Sequence, residues 1–393
     1  MTTVIYGGSF NPPHLGHVSA AQSVYEALRP DRFLIIPTNI APHKAAAAGS
    51  PDAAARLQMC RLAFAGIPGA EVSPMEMKRE GKSYTADTIS ILREKYPEDE
   101  LYLVVGTDMF LSFREWHEYK YLLDNCTLAV LSRETDDRGE ILSFKRSLEN
   151  EDGARIRLIE HEPLPMSSAE IRAMLPKAGG AELLDDGVYS LIIKNRWYAA
   201  KPELRWLGKK VRPYLTEKRA RHVAGCEEQA VKLARRWGAD VYEAAEAGIL
   251  HDITKKLSDE EQLIMCDKYG IILDAAERRN PRILHARTGA ALAREKFGIP
   301  DGIYSAIRWH TTGKPDMSLM EKIIYLADFT EPTRDFEGVE PLRKLCFEDI
   351  DRAMELGLRM SLEEIRSRGE DAYKDTVDAY QWYKKEQGGS ATC

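Results

Sequence analysis

Strand-forming runs are confined to the first half of this chain. Residues 4–6, 32–36, 101–105, 128–131 and 155–159 are short and rich in apolar or β-branched side chains, and residues 19–28, 51–65 and 85–95 between them repeat their apolar positions at helical spacing. That alternation predicts a parallel α/β sheet whose ligand crevice lies at the carboxyl ends of the strands. Beyond about residue 200 the pattern is helix after helix: 216–236, 241–256, 258–269, 281–297, 302–310, 319–327 and part of 361–387, punctuated by Pro202, Pro213, Pro281, Pro300 and Pro315. The expected organisation is an α/β domain over 1–198 followed by an all-α domain over 199–393, with the change between Asn195 and Pro202. At about 150 residues per domain, 393 residues provide for both cores.

Composition removes several classes of function. With 44% hydrophobic and 30% charged residues the chain is too apolar to stay disordered, and it has no run of 18 apolar residues to cross a membrane. It enters the strand-like Val4-Ile5-Tyr6 without a basic leader, so a cytoplasmic protein is expected. The six cysteines are scattered without a CxxC pair, which argues against a disulfide framework or a thiolate zinc site. A net charge of -7 argues against a general nucleic-acid binder, which needs a basic face to displace counterions.

Directly after the first strand comes GGSFNPPHLGH, Gly7 to His17. Gly7 and Gly8 let the backbone approach a ligand closely, Pro12 and Pro13 stiffen the turn, and His14 and His17 stand three apart as the next helix begins. Backbone donors at a helix start together with two imidazoles suit phosphate oxygens. The segment is neither a P-loop nor a dinucleotide fingerprint.

This segment resembles the HxGH motif of the nucleotidyltransferases, in the form found in bacterial nicotinate-nucleotide adenylyltransferases. The likeness continues through Ser83-Tyr84-Thr85-Ala86-Asp87-Thr88, Gly106-Thr107-Asp108, Trp116, Ser132-Arg133 and Pro165-Met166-Ser167-Ser168-Ala169-Glu170-Ile171-Arg172, over about 195 residues. It implies a Rossmann-like fold and attack by the 5′-phosphate of nicotinate mononucleotide on the α-phosphorus of ATP, with Mg2+ accompanying ATP. The substrate phosphate is itself the nucleophile, so catalysis rests on alignment and charge stabilisation. The resemblance assigns His14 and His17 to the ATP phosphates, with His17 at the transition state, and Lys44 to the same oxygens. Gly7, Gly8, Ser9, Phe10, Gly106 and Arg133 line the nucleotide site, and Ser167, Ser168 and Arg172 converge on the triphosphate. Asp108 serves through metal water or a ribose hydroxyl, Trp116 stacks on the pyridine ring, and Thr85 holds its carboxylate. Ala169 stands where familiar members often carry threonine, which removes one phosphate or capping contact. Two bland readings stand beside these roles: Ser167-Ser168 as an ordinary helix cap and Trp116 as core.

The second half holds four histidines, His222, His251, His285 and His310, with Asp252 directly after His251 and Asp328 at the polar end of an apolar helix. Imidazoles and carboxylates brought together by a helical bundle make a metal cage of nitrogen and oxygen donors. RARHVAGC, GILHDITKK, LHARTGA, AIRWHTTG and KIIYLADFTEP together resemble the HD-superfamily phosphohydrolases that split diadenosine tetraphosphate symmetrically, over about residues 204–385. The resemblance implies two divalent transition ions, iron favoured and Mn2+ an alternative. His222, His251 and Asp328 would hold one, His285 and His310 the other, and Asp252 would bridge. On a helix continuing through residue 256, Lys255 would lie near the face of Asp252 and neutralise the leaving phosphate. Arg219, Arg287 and Arg308 are further candidate phosphate contacts.

Taken together, the two likenesses imply a bifunctional enzyme that acts on ATP, nicotinate mononucleotide and diadenosine tetraphosphate without nucleic acid or membrane. An adenylyltransferase carrying a metal-binding but non-catalytic regulatory domain is the alternative.

Overall fold

The computed structural model describes residues 1–40, 49–79, 81–132, 138–274, 277–278 and 281–389. Its contacts divide the chain into two compact units, Met1–Pro202 and Glu203–Cys393.

In the first unit, strands β1 (Thr2–Gly8), β2 (Arg32–Pro37), β3 (Ala70–Val72), β4 (Glu100–Gly106), β5 (Thr127–Ser132) and β6 (Arg155–Glu160) form one sheet in the order β3-β2-β1-β4-β5-β6. Every pairing is parallel, for example Ile5 beside Leu34 on one side and Leu103 on the other. Interior strands covered on both faces need apolar residues throughout, and Leu101 to Val105 and Thr127 to Ser132 are buried without alternation. Ile5, Leu34, Val105 and Leu128 share a core with Ile89 and Leu92 of the helix Thr85–Lys95. The strand order reverses between β1 and β4, so the topological switch point lies between the carboxyl ends that carry Gly7-Gly8 and Gly106.

The edge strand β3 was not expected from sequence. It is three residues long and includes Ala70 and Glu71, too short and too polar for a periodic signal. The end of the first unit is tied inward by Tyr198, whose N–H donates to Gly49 O at 3.0 Å and whose hydroxyl donates to Asn11 Oδ1 at 2.6 Å. Arg196, Tyr198 and Ala199 around it all have positive φ, 51°, 59° and 54°, a region costly for residues with a Cβ.

In the second unit the long helix Glu217–Trp237 begins at Thr216, whose hydroxyl accepts from Arg219 N, and packs against helices Val241–Leu250 and Leu319–Thr330. Helices Leu284–Phe297 and Asp301–Trp309 pack on each other and complete the surroundings of the histidines. The helix expected over 241–256 ends at Leu250. Residues 251–257 continue as tight turns with i to i+3 bonds, among them Lys255 N to Asp252 O at 3.0 Å. Thr254 holds them in place: its hydroxyl donates to His285 O and meets Thr288 Oγ1, both at 2.9 Å, while its carbonyl accepts from Gln262 Nε2 at 2.7 Å. These bonds compete with helix continuation. The shared helical face expected for Asp252 and Lys255 is therefore corrected.

Candidate functional site

At the switch point, His14 caps the helix Leu15–Leu28 and is 7% exposed. His17, in the first turn, accepts at Nδ1 from the backbone N–H of His14 at 3.2 Å. A neutral imidazole that accepts at Nδ1 carries its proton on Nε2, so His17 presents a donor from its other edge. The two rings lie 3.7 Å apart between centroids, tilted by 35°. Burial pushes His14 down to about 4; burial and then the charge of His14 push His17 down to about 3. Nδ1 of His14 is buried without a hydrogen-bond partner. An arriving phosphate would supply both an acceptor and the negative charge that these rings lack.

The glycine of the HxGH spacing has a role of its own, which the motif does not announce. A Cβ on Gly16 would sit 3.0 Å from Cε1 and Nδ1 of His14, so the missing side chain lets the ring lie across the helix start. Also missed was Arg56, a buried guanidinium that donates to Ser9 O, Thr38 O and Asn39 O at 2.7 to 2.9 Å and shapes the loop from the neighbouring helix. An arginine in the alanine-rich helix Ala53–Ala63 gives no sign of this. Phe10 is buried with φ of 43° and meets His17 edge to face at 5.1 Å.

Ser167 caps the helix Ser168–Met174 in a reciprocal box with Glu170. Ser168 Oγ donates to Pro12 O at 2.9 Å, and Arg172 donates to Asn11 O at 2.7 Å. In this state these residues brace the HxGH loop from behind. Gly106 and Asp108 are exposed at the end of β4. Thr85 opens its helix, and Trp116 is half-buried, 5.0 Å from Phe113 across the edge of the core. His117 lies against Tyr84 with ring centroids 4.4 Å apart and planes tilted by 42°, an aromatic neighbour that the sequence does not single out. Lys44 and Arg133 lie outside the described residues.

The second constellation converges closely. Nε2 of His222 lies 3.2 Å from Nε2 of His251 and 3.0 Å from Asp328 Oδ1. Nε2 of His285 lies 3.2 Å from Nε2 of His310. Asp252, 2% exposed, stands between the pairs. Its Oδ2 is 3.6 and 3.5 Å from His222 and His251, and its Oδ1 is 3.4 and 3.6 Å from His285 and His310. His222, His251 and Asp328 form one candidate ion-holding triad, and His251, Asp252 and His310 another, so His251 reaches toward both.

The outer nitrogens explain why the inner ones agree. Nδ1 of His251, His285 and His310 each faces the backbone carbonyl three residues earlier, Gly248, Arg282 and Ile307, at 2.7 to 2.8 Å. Nδ1 of His222 faces Glu331 Oε1 at 3.0 Å, a partner that sequence reasoning missed. Nδ1–H donated outward leaves an Nε2 lone pair directed inward, the form that binds a metal. Burial opposes charge on Asp252, yet His251 foremost, with His310 and His285, holds its carboxyl well below the usual range. Asp328 behaves likewise: burial is outweighed by the His222 hydrogen bond and the Arg334 guanidinium. Arg219 pairs with Asp252 at 2.6 Å and Arg334 with Asp328 at 2.7 Å. The donors are four imidazole nitrogens and two carboxylates without a thiolate, a set that fits divalent transition ions.

Nζ of Lys255 lies 3.2 Å from both ring nitrogens of His285, at the edge of the cluster, and Thr311 Oγ1 is 3.1 Å from His285 and His310. Arg287 is paired with Glu277, and Arg308 lies over the Trp309 ring at 4.1 Å.

Residues 5–174 match the cytidylyltransferase-like family, and residues 219–333 match the HD domain. A symmetrical bis(5′-nucleosyl)-tetraphosphatase of Bacillus subtilis is 38% identical over 176 residues, 44% of this chain and 92% of that protein. A probable nicotinate-nucleotide adenylyltransferase of Gemmatimonas aurantiaca is 39% identical over 170 residues, 43% of this chain and 78% of that one. A solved structure from Clostridium acetobutylicum, described as a predicted HD superfamily hydrolase involved in NAD metabolism, is 35% identical, with a TM-score of 0.45, and covers 46% of this chain and 96% of that one. Each of these three proteins corresponds to less than half of this chain.

Proposed function

The chain belongs to the nicotinate-nucleotide adenylyltransferase family and to that of the symmetrical bis(5′-nucleosyl)-tetraphosphatases, and from this premise we propose that one polypeptide carries both activities. In the first unit, the 5′-phosphate of nicotinate mononucleotide displaces pyrophosphate from ATP, which arrives with Mg2+, to give nicotinate adenine dinucleotide. His17 donates from Nε2 to a phosphate oxygen as charge moves onto it, and His14 contributes its unpaired Nδ1 edge. Gly7, Gly8 and Ser9 offer exposed or partly exposed backbone at the switch point, while Ser168 and Arg172 keep the loop in shape. Lys44, Arg133, Asp108, Thr85 and Trp116 keep the roles that the family resemblance gives them.

In the second unit, His222, His251, Asp252, His285, His310 and Asp328 would hold two divalent ions, iron or manganese. When bound, such ions supply water ionised near neutral pH and withdraw charge from a phosphoryl group. Asp252 presents one oxygen to each histidine pair, and Lys255 and Arg219 offer positive charge to a polyphosphate at the rim. The substrate is diadenosine tetraphosphate, cleaved to two ADP. The observation that carries this reading is the convergence of four Nε2 atoms on the two oxygens of one buried carboxylate.

The test uses the full chain. His17→Ala should lose adenylyl transfer by about 100-fold or more while hydrolysis persists. Asp252→Ala should lose bound transition metal and hydrolysis while transfer persists. Release of AMP and ATP would overturn symmetric cleavage. A metal-loaded protein inert toward dinucleotide polyphosphates would replace the hydrolase reading with a regulatory one, and faster turnover of the amide nucleotide than of the acid would overturn substrate choice in the first unit.

A further inference from the structure

Three of the four imidazoles in the cluster are oriented by carbonyls of their own turn, because His251 and His310 end helices and His285 begins one. His222 lies inside the helix Glu217–Trp237, where backbone carbonyls are engaged in the helix. Its outer nitrogen meets a side chain instead, Glu331 Oε1 at 3.0 Å.

Glu331 is 1% exposed and follows the helix Leu319–Thr330 that carries Asp328. A buried carboxylate is costly unless it is partnered. Glu331 has partners on both oxygens: Thr333 N–H donates to Oε2 at 2.6 Å, and the Thr333 hydroxyl donates to Oε1. The facing helix also makes room for it. A Cβ on Gly225, three residues after His222, would fall 2.4 Å from Oε2. One helix thus supplies a ligand and a gap, while the next supplies a ligand and, three residues on, the carboxylate that fills the gap.

We propose that Glu331 is a positioning residue for the metal centre: by accepting a hydrogen bond from the Nδ1–H of His222 it holds that ring with Nε2 bare and aimed at Asp328 and His251. The inference rests on the two-ion reading above. It makes the His222 side of the centre dependent on a side chain that touches neither ion nor substrate.

The experiment compares full-length wild type, Glu331→Gln, Glu331→Ala and Gly225→Ala in metal-free form, titrated with Mn2+ by calorimetry, with the His222 tautomer read from 15N NMR. Wild-type His222 should carry its proton on Nδ1. Mn2+ affinity should fall about tenfold in Glu331→Gln and up to about 100-fold in Glu331→Ala, the range seen when such outer partners are removed. Gly225→Ala, which changes no ionisable group, should weaken Mn2+ in the same direction by crowding Glu331. Unchanged affinity in Glu331→Ala, which removes the acceptor, would overturn the proposal, and so would a wild-type His222 protonated on Nε2, whether or not any variant folds. Folded wild type that takes up no Mn2+ would overturn the two-ion reading itself, an outcome visible without any variant.

Discussion

Single atoms decide the geometry of the HxGH loop. Gly16 lies inside a helix, where alanine would ordinarily gain about 1 kcal/mol, but its Cβ would press on the His14 ring at 3.0 Å. Gly16→Ala is therefore expected to lower kcat/KM for adenylyl transfer at least tenfold with no fall in thermal midpoint; steady-state kinetics beside a melting curve checks both. The same histidines set an acid dependence. Their folded pKa values, about 4 and 3, lie below the ordinary 6.5, so the unfolded chain binds more protons between those limits. Their contribution to stability is complete above pH 6.5 and is lost as pH falls toward 4. His14→Asn/His17→Asn should flatten that part of the stability curve, measured by urea unfolding at pH 7, 5.5 and 4.5; an unchanged slope would remove burial as the cause. The ligand types were legible in the sequence at this scale, since histidine and aspartate announce their chemistry. Glu331 was not, because Thr330-Glu331-Pro332 reads as a helix stop and its contact with His222 spans 109 residues.

At the scale of elements, the turn from His251 to Leu257 shows where periodicity misleads. Residues 241–256 carry helical spacing, but a buried network of Thr254, Gln262 and Thr288 takes over after Leu250. Thr254→Val keeps the shape and removes the hydroxyl from His285 O and Thr288. It should cost about 1–3 kcal/mol in denaturant unfolding and reduce metal uptake, because the network holds Asp252 between the histidine pairs. Loss of stability with full metal uptake would show that the network supports the fold alone. The helix Thr85–Lys95 lies where its sequence predicts, with its buried residues Ala86, Ile89 and Leu92 at helical spacing. Strand β3 is not legible in the sequence because its pairing with a single neighbour, β2, defines it rather than any pattern of its own.

For the whole molecule, the change from alternating strands and helices to helices alone was readable because each pattern demands a different core. The candidate ligands of each chemistry also fall within a single unit. A calorimetric scan should accordingly respond unit by unit: Mn2+ raising one unfolding transition, and a non-hydrolysable ATP analogue with nicotinate mononucleotide raising another. A common shift of both by either ligand would show that the units unfold as one. The junction itself is not an inert spacer. Tyr198 bonds to Asn11, whose carbonyl also accepts from Arg172, so three residues of unfavourable backbone are held in register with the nucleotide loop. For anyone splicing these two units apart, or grafting another domain in place of the second, a cut made anywhere from residue 196 to 199 is a cut into the support of the HxGH loop; the safe suture lies past Pro202.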